Sequence, residues 1–353
     1  MVQNRSWAER VRAGINAIRP QKAENATLSV ATYNAYNLNP DTGTPDPIDE
    51  DRLDKLANSV VIDLQCPDII CLQEIQDESG PKDDGKTSGD KTLEELVSAI
   101  SNQGGVKYKY AEIIPENNVD GGQPGANIRQ AYLYNPEKTE LYREEDKAKG
   151  KADEGVSVVS DDNGVHLSNS IGRIHPELDC FDDSRKPLIA EFVDKASGES
   201  IFVTNVHLIS KRGDKEERDG IRAVQATAIN EFQVELHNAL TDKGLDSNLV
   251  IAGDFNSTPD EAPYKLFTSN EFMEGIVDPK NKDNYTYIHR GEKSILDNVI
   301  VSSDMAEKAQ GKTVNVNAHK PYKSDRASDH NPVIANGLAT RDQPQAQSSG
   351  FGR

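Results

Sequence analysis

The sequence predicts an α/β fold, one domain of buried sheets wrapped by helices. Apolar runs of strand length alternate with stretches of helical apolar spacing through most of the chain, the pattern of sheets covered by helices. No repeat at solenoid or propeller period interrupts the alternation. No shift in composition marks a second domain, although 353 residues allow one large domain or two ordinary ones.

Residues 1–27 carry Trp7, Val11, Ile15 and Ile18 at helical spacing, which predicts an amphipathic helix and a linker ahead of the domain. Residues 28–34 read as the first strand, followed by a turn-rich segment with Pro40, Gly43, Pro45 and Pro47. Leu53, Leu56, Val60, Val61 and Leu64 mark a helix, and residues 68–72 a short buried strand. Thr92 and Glu95 have the spacing of a capping box, so a second helix is expected to open at Thr92. Strands are expected at 128–134, 187–193 and 201–207, then a helix over about 221–240. Strands at 249–252, 297–301 and 332–335 complete the pattern. Residues 77–91 and 143–163 are charge-rich without apolar periodicity and are expected to be mobile, and the tail 340–353 to be disordered. The domain itself is therefore expected over 28–339.

Hydrophobic residues make up 35% of the chain and the mean hydropathy is −0.69, which allows a core with long solvated loops. No stretch reaches the roughly 18 apolar residues that cross a bilayer. The first residues lack the apolar h-region of a secretory signal, so a cytoplasmic location is expected; an exported or truncated form fits the same sequence. Cys66, Cys71 and Cys180 are too few, and too far from histidines at ligand spacing, for a disulfide scaffold or a structural zinc site. The net charge of −19 counts against a protein that holds nucleic acid on a broad basic face. It does not count against a phosphate-cleaving enzyme, where a bound cation and a few local Arg or Lys reverse the field. No stable protein partner is implied.

Six short polar motifs sit at the ends of apolar runs: TYNAYNL (32–38), CLQE (71–74), TNVHL (204–208), GDFNSTP (253–259), LDNVIVS (296–302) and SDHNPV (328–333). Gly253 is expected to let the backbone approach a ligand closely. Asp254 and Asn256, two apart on an extended segment, face one side and suit orienting a water and binding a phosphate oxygen; an Asx-rich turn has the same string. Asp329 beside His330 serves a metal or proton transfer, or forms a surface turn. Asp297 either fixes the tautomer of a catalytic imidazole or caps a turn. Glu74 closes a buried run, where a carboxylate is costly unless paired or bound to a cation. Oxygen donors dominate these motifs, which favours magnesium, with manganese or calcium as alternatives, over zinc. Asn34 ends the first strand, where its amide suits orienting a phosphate or a cation's water. His207 ends another; alone it reads as structural, in this company as functional.

An anionic substrate calls for cations, and a bidentate Arg is the usual phosphate ligand. Arg129, with Asn127 two residues before it, Arg185 beside Lys186, and Lys211 beside Arg212 are the candidates. His166, His175, His237, His289 and His319 have no partner motif and are expected to be solvated.

The six motifs, in this order, resemble the endonuclease/exonuclease/phosphatase superfamily, over about residues 28–338. The segments GGQPGANIRQAYLYNP, SRKP and HLISKRGD are similar to its bacterial nuclease-like branch. The resemblance implies a four-layer α/β sandwich, two central mixed sheets with helices outside, and a cleft where strand ends meet. It implies Glu74 as the main metal ligand with Asn34 and Asp329 nearby. It implies Asp254 and Asn256 at the attacking water, and His207 with His330, oriented by Asp297, at the phosphate and leaving oxygen. Some relatives carry an acidic ligand where this chain has Tyr36, a poor magnesium ligand, which shifts weight to Glu74.

The activity expected is metal-dependent hydrolysis of a phosphodiester by in-line attack of water, with nucleic acid, DNA or RNA, as substrate. The same scaffold also suits a phosphomonoesterase or a phospholipase of sphingomyelinase or inositol-phosphatase type. An inactive binding module has no need of Glu74, His207, Asp254, Asn256, Asp329 and His330 together.

Overall fold

Two strands, β1 (Leu28–Leu38) and β2 (Ile69–Ile75), run parallel in the computed structural model, with Val30 opposite Ile69 and Asn34 opposite Gln73. The structure describes residues 27–40, 51–143, 149–322 and 325–340. The helix expected before residue 27 and nearly all of the tail lie outside these residues.

Around the β1–β2 pair a six-stranded sheet forms in the order β16 (Gln310–Thr313), β17 (Val333–Leu338), β1, β2, β4 (Arg129–Tyr134), β3 (Lys109–Glu112). A second sheet has its own central parallel pair, β10 (Ser200–His207) and β11 (Leu249–Asp254). Its order is β12 (Met273–Gly275), β15 (Asp297–Ser302), β11, β10, β9 (Leu188–Asp194). Beyond β9 lie β5 (Thr139–Leu141) and β8 (Ile171–Arg173), end to end. All other pairings in the two sheets are antiparallel.

The alternation of side chains along each strand explains the layers. Val30, Cys71, Tyr132, Phe192, Val203, Val250, Val299 and Val333 face inward and fill the space between the sheets. Ala31, Tyr33, Ile70, Leu72 and Leu133 face outward from the first sheet onto Leu56, Leu93, Leu96 and Ile100. These belong to α1 (Arg52–Asn58) and α2 (Asp90–Asn102). From the second sheet Ile189, Phe202, Ile251 and Ile300 pack on Ile229, Phe232, Leu236 and Phe267, of α3 (Lys215–Asp242) and α4 (Ala262–Thr268). Strands apolar on both faces read as the near-continuous runs seen in the sequence. The result is helix, sheet, sheet, helix: the four-layer sandwich. No helix among the described residues is long and apolar enough to cross a membrane.

Several local expectations are corrected. The helix from Leu53 passes at Ser59 into a π-helical turn, Ser59–Asp63. Thr92 makes no capping box: α2 opens at Asp90, and the buried Thr92 hydroxyl donates to the carbonyls of Gln76 (3.2 Å) and Asp77 (3.4 Å). It therefore pins the loop after β2 to the helix. α3 begins at Lys215, earlier than apolar spacing indicates, because its first turns are exposed and Asp214 caps them by accepting from the Glu217 N–H (3.0 Å). The 77–91 loop is anchored through Asp77, which is buried and accepts from Ser79 and Asn127. Part of 143–163 forms a hairpin of β6 (Val158–Asp161) with β7 (Gly164–Leu167). Residues 144–148 of that stretch lie outside the described residues.

Histidines expected in solvent are engaged, His166 and His237 most closely. His166 Nδ1 lies 2.7 Å from the fully buried Glu191 carboxylate and stacks on Tyr142 at 3.9 Å. That carboxylate, with Coulomb attraction added to the hydrogen bond, holds the imidazole pKa above its ordinary value against partial burial. His237 stacks on Phe272 at 3.8 Å and meets the Ser247 hydroxyl.

Candidate active site

The carboxyl ends of the two parallel pairs point to the same place, as ligand sites in α/β sheets do. From the first sheet come Asn34 on β1 and Glu74 on β2; from the second, His207 on β10, Asp254 on β11 and Asp297 at the start of β15. Register puts His207 directly opposite Asp254, and Asp254 directly opposite Asp297. The loop into β17 adds Asp329 and His330.

Distances confirm the convergence. The Asn34 amide donates to Glu74 Oε1 and to Asp254 Oδ2, both at 3.1 Å, and so ties one sheet to the other. His207 Nε2 lies 3.9 Å from Glu74 Oε1 and 3.7 Å from Asp254 Oδ2, beyond hydrogen-bond reach. His330 Nδ1 meets Asp297 Oδ2 at 2.7 Å. Asp254 Oδ1 accepts from the Asn256 N–H (2.8 Å), and Asn256 has a left-handed φ of 47°. The Asn256 amide then donates to the Leu208 carbonyl (3.0 Å). Glu74 itself has a left-handed φ of 58°, breaks the β1–β2 register, and accepts from the Asn37 N–H (3.0 Å). Its side chain is 19% exposed against 2% for Asp254, so it lies at the open side of the cluster.

The electrostatics are those of crowded acids in a dry place. Burial first, then the charge of Asp297, pushes Asp254 up to about 7, against the pull of His330. Burial likewise pushes Asp329 up to about 6, with Glu74 and Asp297 adding to the rise. Burial opposes charging His330, but Asp297, Asp329 and Asp254 outweigh it and hold this imidazole well above its usual range. His207 moves the other way: burial, helped by the cationic Arg185 and by His330, keeps it well below the usual range and hence neutral.

Each substrate-binding candidate fares differently. Arg185 is buried beside the cluster, where the charges of Glu74 and Asp254 act on it; one nitrogen donates to the Leu208 carbonyl (3.1 Å) and its Nε has no partner. Lys211 is partly exposed and held by Glu261 at 2.7 Å. Arg129 is engaged within the fold. It is 1% exposed, pairs with buried Glu112 at 3.0 Å, and donates its remaining groups to the Asn127 carbonyl. Asn127 is engaged too: its buried amide donates to Asp77, Lys86 and Asn117 and accepts from the Asn118 N–H, organising the neighbouring loops. Arg129→Met is expected to destabilise the protein by about 3 kcal/mol, because Glu112 is left as a buried, unpaired charge. Urea melts with turnover measured on the folded fraction check this; unchanged stability with a large loss of kcat/KM returns Arg129 to the substrate.

Other residues shape the site without having stood out in the sequence. Gln73 and Asn205 meet at 2.7 Å between the sheets, and Asn205 also donates to the Leu72 and Ala131 carbonyls. Their signal is parity: each faces the inter-sheet layer one strand step from a motif residue. Asn331 accepts from the N–H groups of Val316, Asn317 and Ala318 and donates to the Tyr285 carbonyl. Asn317 donates to the His330 carbonyl (2.8 Å), and Ser328 Oγ to the Asn34 carbonyl (2.7 Å). These bonds fix the SDH loop, and no local pattern announces them.

Two donor sets for a cation are available. Asp254, Asp297 and His330 offer atoms within 4.8 Å of one another, but His330 Nδ1 and Asp297 are already committed to each other. Glu74 and Asp329 are the second set: hard oxygen donors suit magnesium, and buried Asp329 Oδ1, like Asp297 Oδ1, has no hydrogen-bond partner. A buried carboxylate oxygen with nothing to bind is the kind of group a cation satisfies. Asn34, the third residue expected near the cation, turns its NH2 to the carboxylates of Glu74 and Asp254 while its oxygen accepts from the Tyr36 N–H (2.9 Å).

Comparisons with known proteins agree with this architecture. An endonuclease/exonuclease/phosphatase family protein of Bacteroides thetaiotaomicron superposes with a TM-score of 0.55 at 17% identity, covering 89% of this chain and 98% of that one. The human Nocturnin catalytic domain, solved with bound sulfate anion, gives 0.54 at 14% identity, covering 88% and 93%. A mannosyl-6-phosphatase of B. thetaiotaomicron gives 0.53 at 18%, covering 87% and 98%. At these identities the likeness is one of fold. A search of curated proteins gave no match. The family model described as Endonuclease/Exonuclease/phosphatase family matches residues 31–330, and the chain belongs to that family of metal-dependent phosphoric ester hydrolases.

Proposed function

We propose that this chain is a metal-dependent phosphodiesterase, a nuclease acting on DNA or RNA. The observation that carries the reading is the meeting of Glu74, Asp254, Asp297 and Asp329 with His207 and His330 at the ends of both parallel strand pairs. A fold has little use for four acids gathered around one charged imidazole; a cation and a phosphate do.

Glu74 and Asp329 would hold the cation, which when bound neutralises charge on the phosphoryl group. Asp254, with a pKa pushed up to about 7, suits taking a proton from the attacking water near neutral pH. Asn256 fixes the Asp254 carboxylate through its backbone N–H. His330, held in one orientation by Asp297, presents Nε2 to a phosphate oxygen as a charged donor. Neutral His207 and buried Arg185 bind the phosphate from the opposite wall. None of these groups needs to move far, so charge developing on the phosphate meets donors already in place.

The choice of a diester of nucleic acid over a small monoester rests on the surroundings. A groove of about 630 Å³ runs beside the site, lined by Thr258, Pro259, Lys282, Tyr285 and Lys293, within the usual range for ligand sites. Its two lysines, offset in part by the carboxylate of Asp260, add to Arg185. The second reading, a sugar phosphomonoesterase, is favoured by the engagement of Arg129 and Lys211 in ion pairs, and the mannosyl-6-phosphatase has the same fold.

Incubation with supercoiled plasmid, RNA, bis-p-nitrophenyl phosphate and p-nitrophenyl phosphate separates the two. The diesters are expected to be cleaved with magnesium or manganese, and EDTA to remove activity to below about 1%. Calorimetric titration of magnesium is expected to show a site in the wild type that is weakened in Glu74→Gln. Hydrolysis of the monoester alone defeats the nuclease reading.

A further inference from the structure

A small hairpin stands at the edge of the site and belongs to neither sheet. Its strands are β13 (Tyr287–His289) and β14 (Glu292–Ser294), joined by Arg290 and Gly291 at φ 50° and 89°. Positive φ at both turn residues is the tight turn that suits two twisted strands. A hairpin of three residue pairs is not stable by itself. It is held by its base, where Thr286 Oγ1 accepts from the N–H groups of Leu296 (2.8 Å) and Asp297 (3.0 Å). The Thr286 carbonyl accepts from the Asn331 N–H (2.7 Å). The hairpin is thus clamped to Asp297 on one side and to the neighbour of His330 on the other.

What it carries there is a row of rings. The Tyr287 ring lies 4.9 Å from that of His330. His289, two residues on and so on the same face, lies 6.5 Å from Tyr287 with planes 13° apart. Tyr287 is half-buried and His289 exposed. A fold gains little from extending the row past half-buried Tyr287 to a near-parallel ring in solvent, and a planar ligand gains much from it.

We infer that Tyr287 and His289 form a stacking subsite for a nucleobase flanking the scissile phosphate. This rests on the phosphodiesterase reading above and specifies its substrate class. Stacking on aromatic side chains tolerates any base, because every base has a π-face. It therefore confers a preference for nucleotide esters without requiring sequence specificity or a basic surface, consistent with a chain of net charge −19. His289, which had no partner motif in the sequence, acquires its place from Tyr287.

The test compares two kinds of chromogenic diester with one leaving group: the 3′- and 5′-p-nitrophenyl phosphate esters of thymidine, and the same esters of base-free 1,2-dideoxyribose. The wild type is expected to favour a thymidine ester in kcat/KM by about ten- to hundredfold. The double variant Tyr287→Leu/His289→Ala is expected to bring that ratio to within about threefold, and Tyr287→Trp to keep it. A ring that merely shields His330 predicts a ratio that Leu preserves, and that result overturns the subsite. Equal use of both sugars by the wild type overturns it as well, while leaving the phosphodiesterase reading intact. Hydrolysis of p-nitrophenyl phosphate with neither diester touched removes both.

Discussion

Replacing Asp254 by Asn is expected to lower kcat for phosphodiester hydrolysis by about 10³-fold or more, the upper part of what a positioned general base contributes. The protein is expected to fold normally. Asn keeps an oxygen for the Asn256 N–H, and loses one hydrogen bond, to the Asn34 amide, worth about 1 kcal/mol. Against that loss, a neutral amide relieves the repulsion of Asp297 and Glu74 that raises the carboxyl pKa. His330→Ala is expected to lose activity on a similar scale, since it removes the charged donor and strands the Asp297 carboxylate. The two groups act on one event, so the double variant should fall little further than either single one. Stopped assays with bis-p-nitrophenyl phosphate, alongside thermal melts, read both quantities. Wild-type turnover in Asp254→Asn shows that the base lies elsewhere.

Much of this architecture was legible because two different periodicities report on it. Strands covered on both faces give short apolar runs, and the motif residues stand at the edges of those runs, so the sequence alone puts Asn34, Glu74, His207, Asp254 and Asp297 at strand ends. Their meeting was legible from the resemblance of the motif order, not from spacing: Asn34 and Asp254 are 220 residues apart and touch at 3.1 Å. The cationic candidates were less readable. Arg129 and Arg185 both precede apolar strands, and nothing local distinguishes an arginine facing a buried Glu112 from one facing the cluster. The difference lies in β3, which supplies Glu112 from a short edge strand without a signal of its own. The contacts of Asn34 were unreadable for another reason. A strand-end amide offers an oxygen and an NH2, and only the acids around it decide which one turns inward.

Gly253 shows how closely the fold and the site are bound together, and Gly253→Ala is the second large effect expected. The sequence suggested that this glycine admits a ligand; the structure shows that it admits a neighbouring strand. Its φ is +150°, a region that side chains rarely occupy, and a Cβ there would lie 2.0 Å from the Val206 carbonyl oxygen and 2.8 Å from the Val206 nitrogen. Those atoms are backbone of β10 and cannot rotate away. Either β10 or β11 must shift, in the middle of the parallel pair that sets His207 opposite Asp254. Overpacking of this kind costs about 1–3 kcal/mol and the strained φ a similar amount again, together a large part of an ordinary domain's 5–15 kcal/mol. Gly253→Ala is therefore expected to lower Tm by about 3–9 °C, on the scale of about 1.5 °C per kcal/mol for a domain of about 300 residues. The molecules that still fold should be nearly inactive, because a shift of about 1 Å between Asp254 and His207, the proposed base and phosphate ligand, costs about 10²-fold. A variant with normal Tm and lost turnover points back to a ligand approaching at Gly253, whereas one that melts early and works poorly places the glycine where the strands require it.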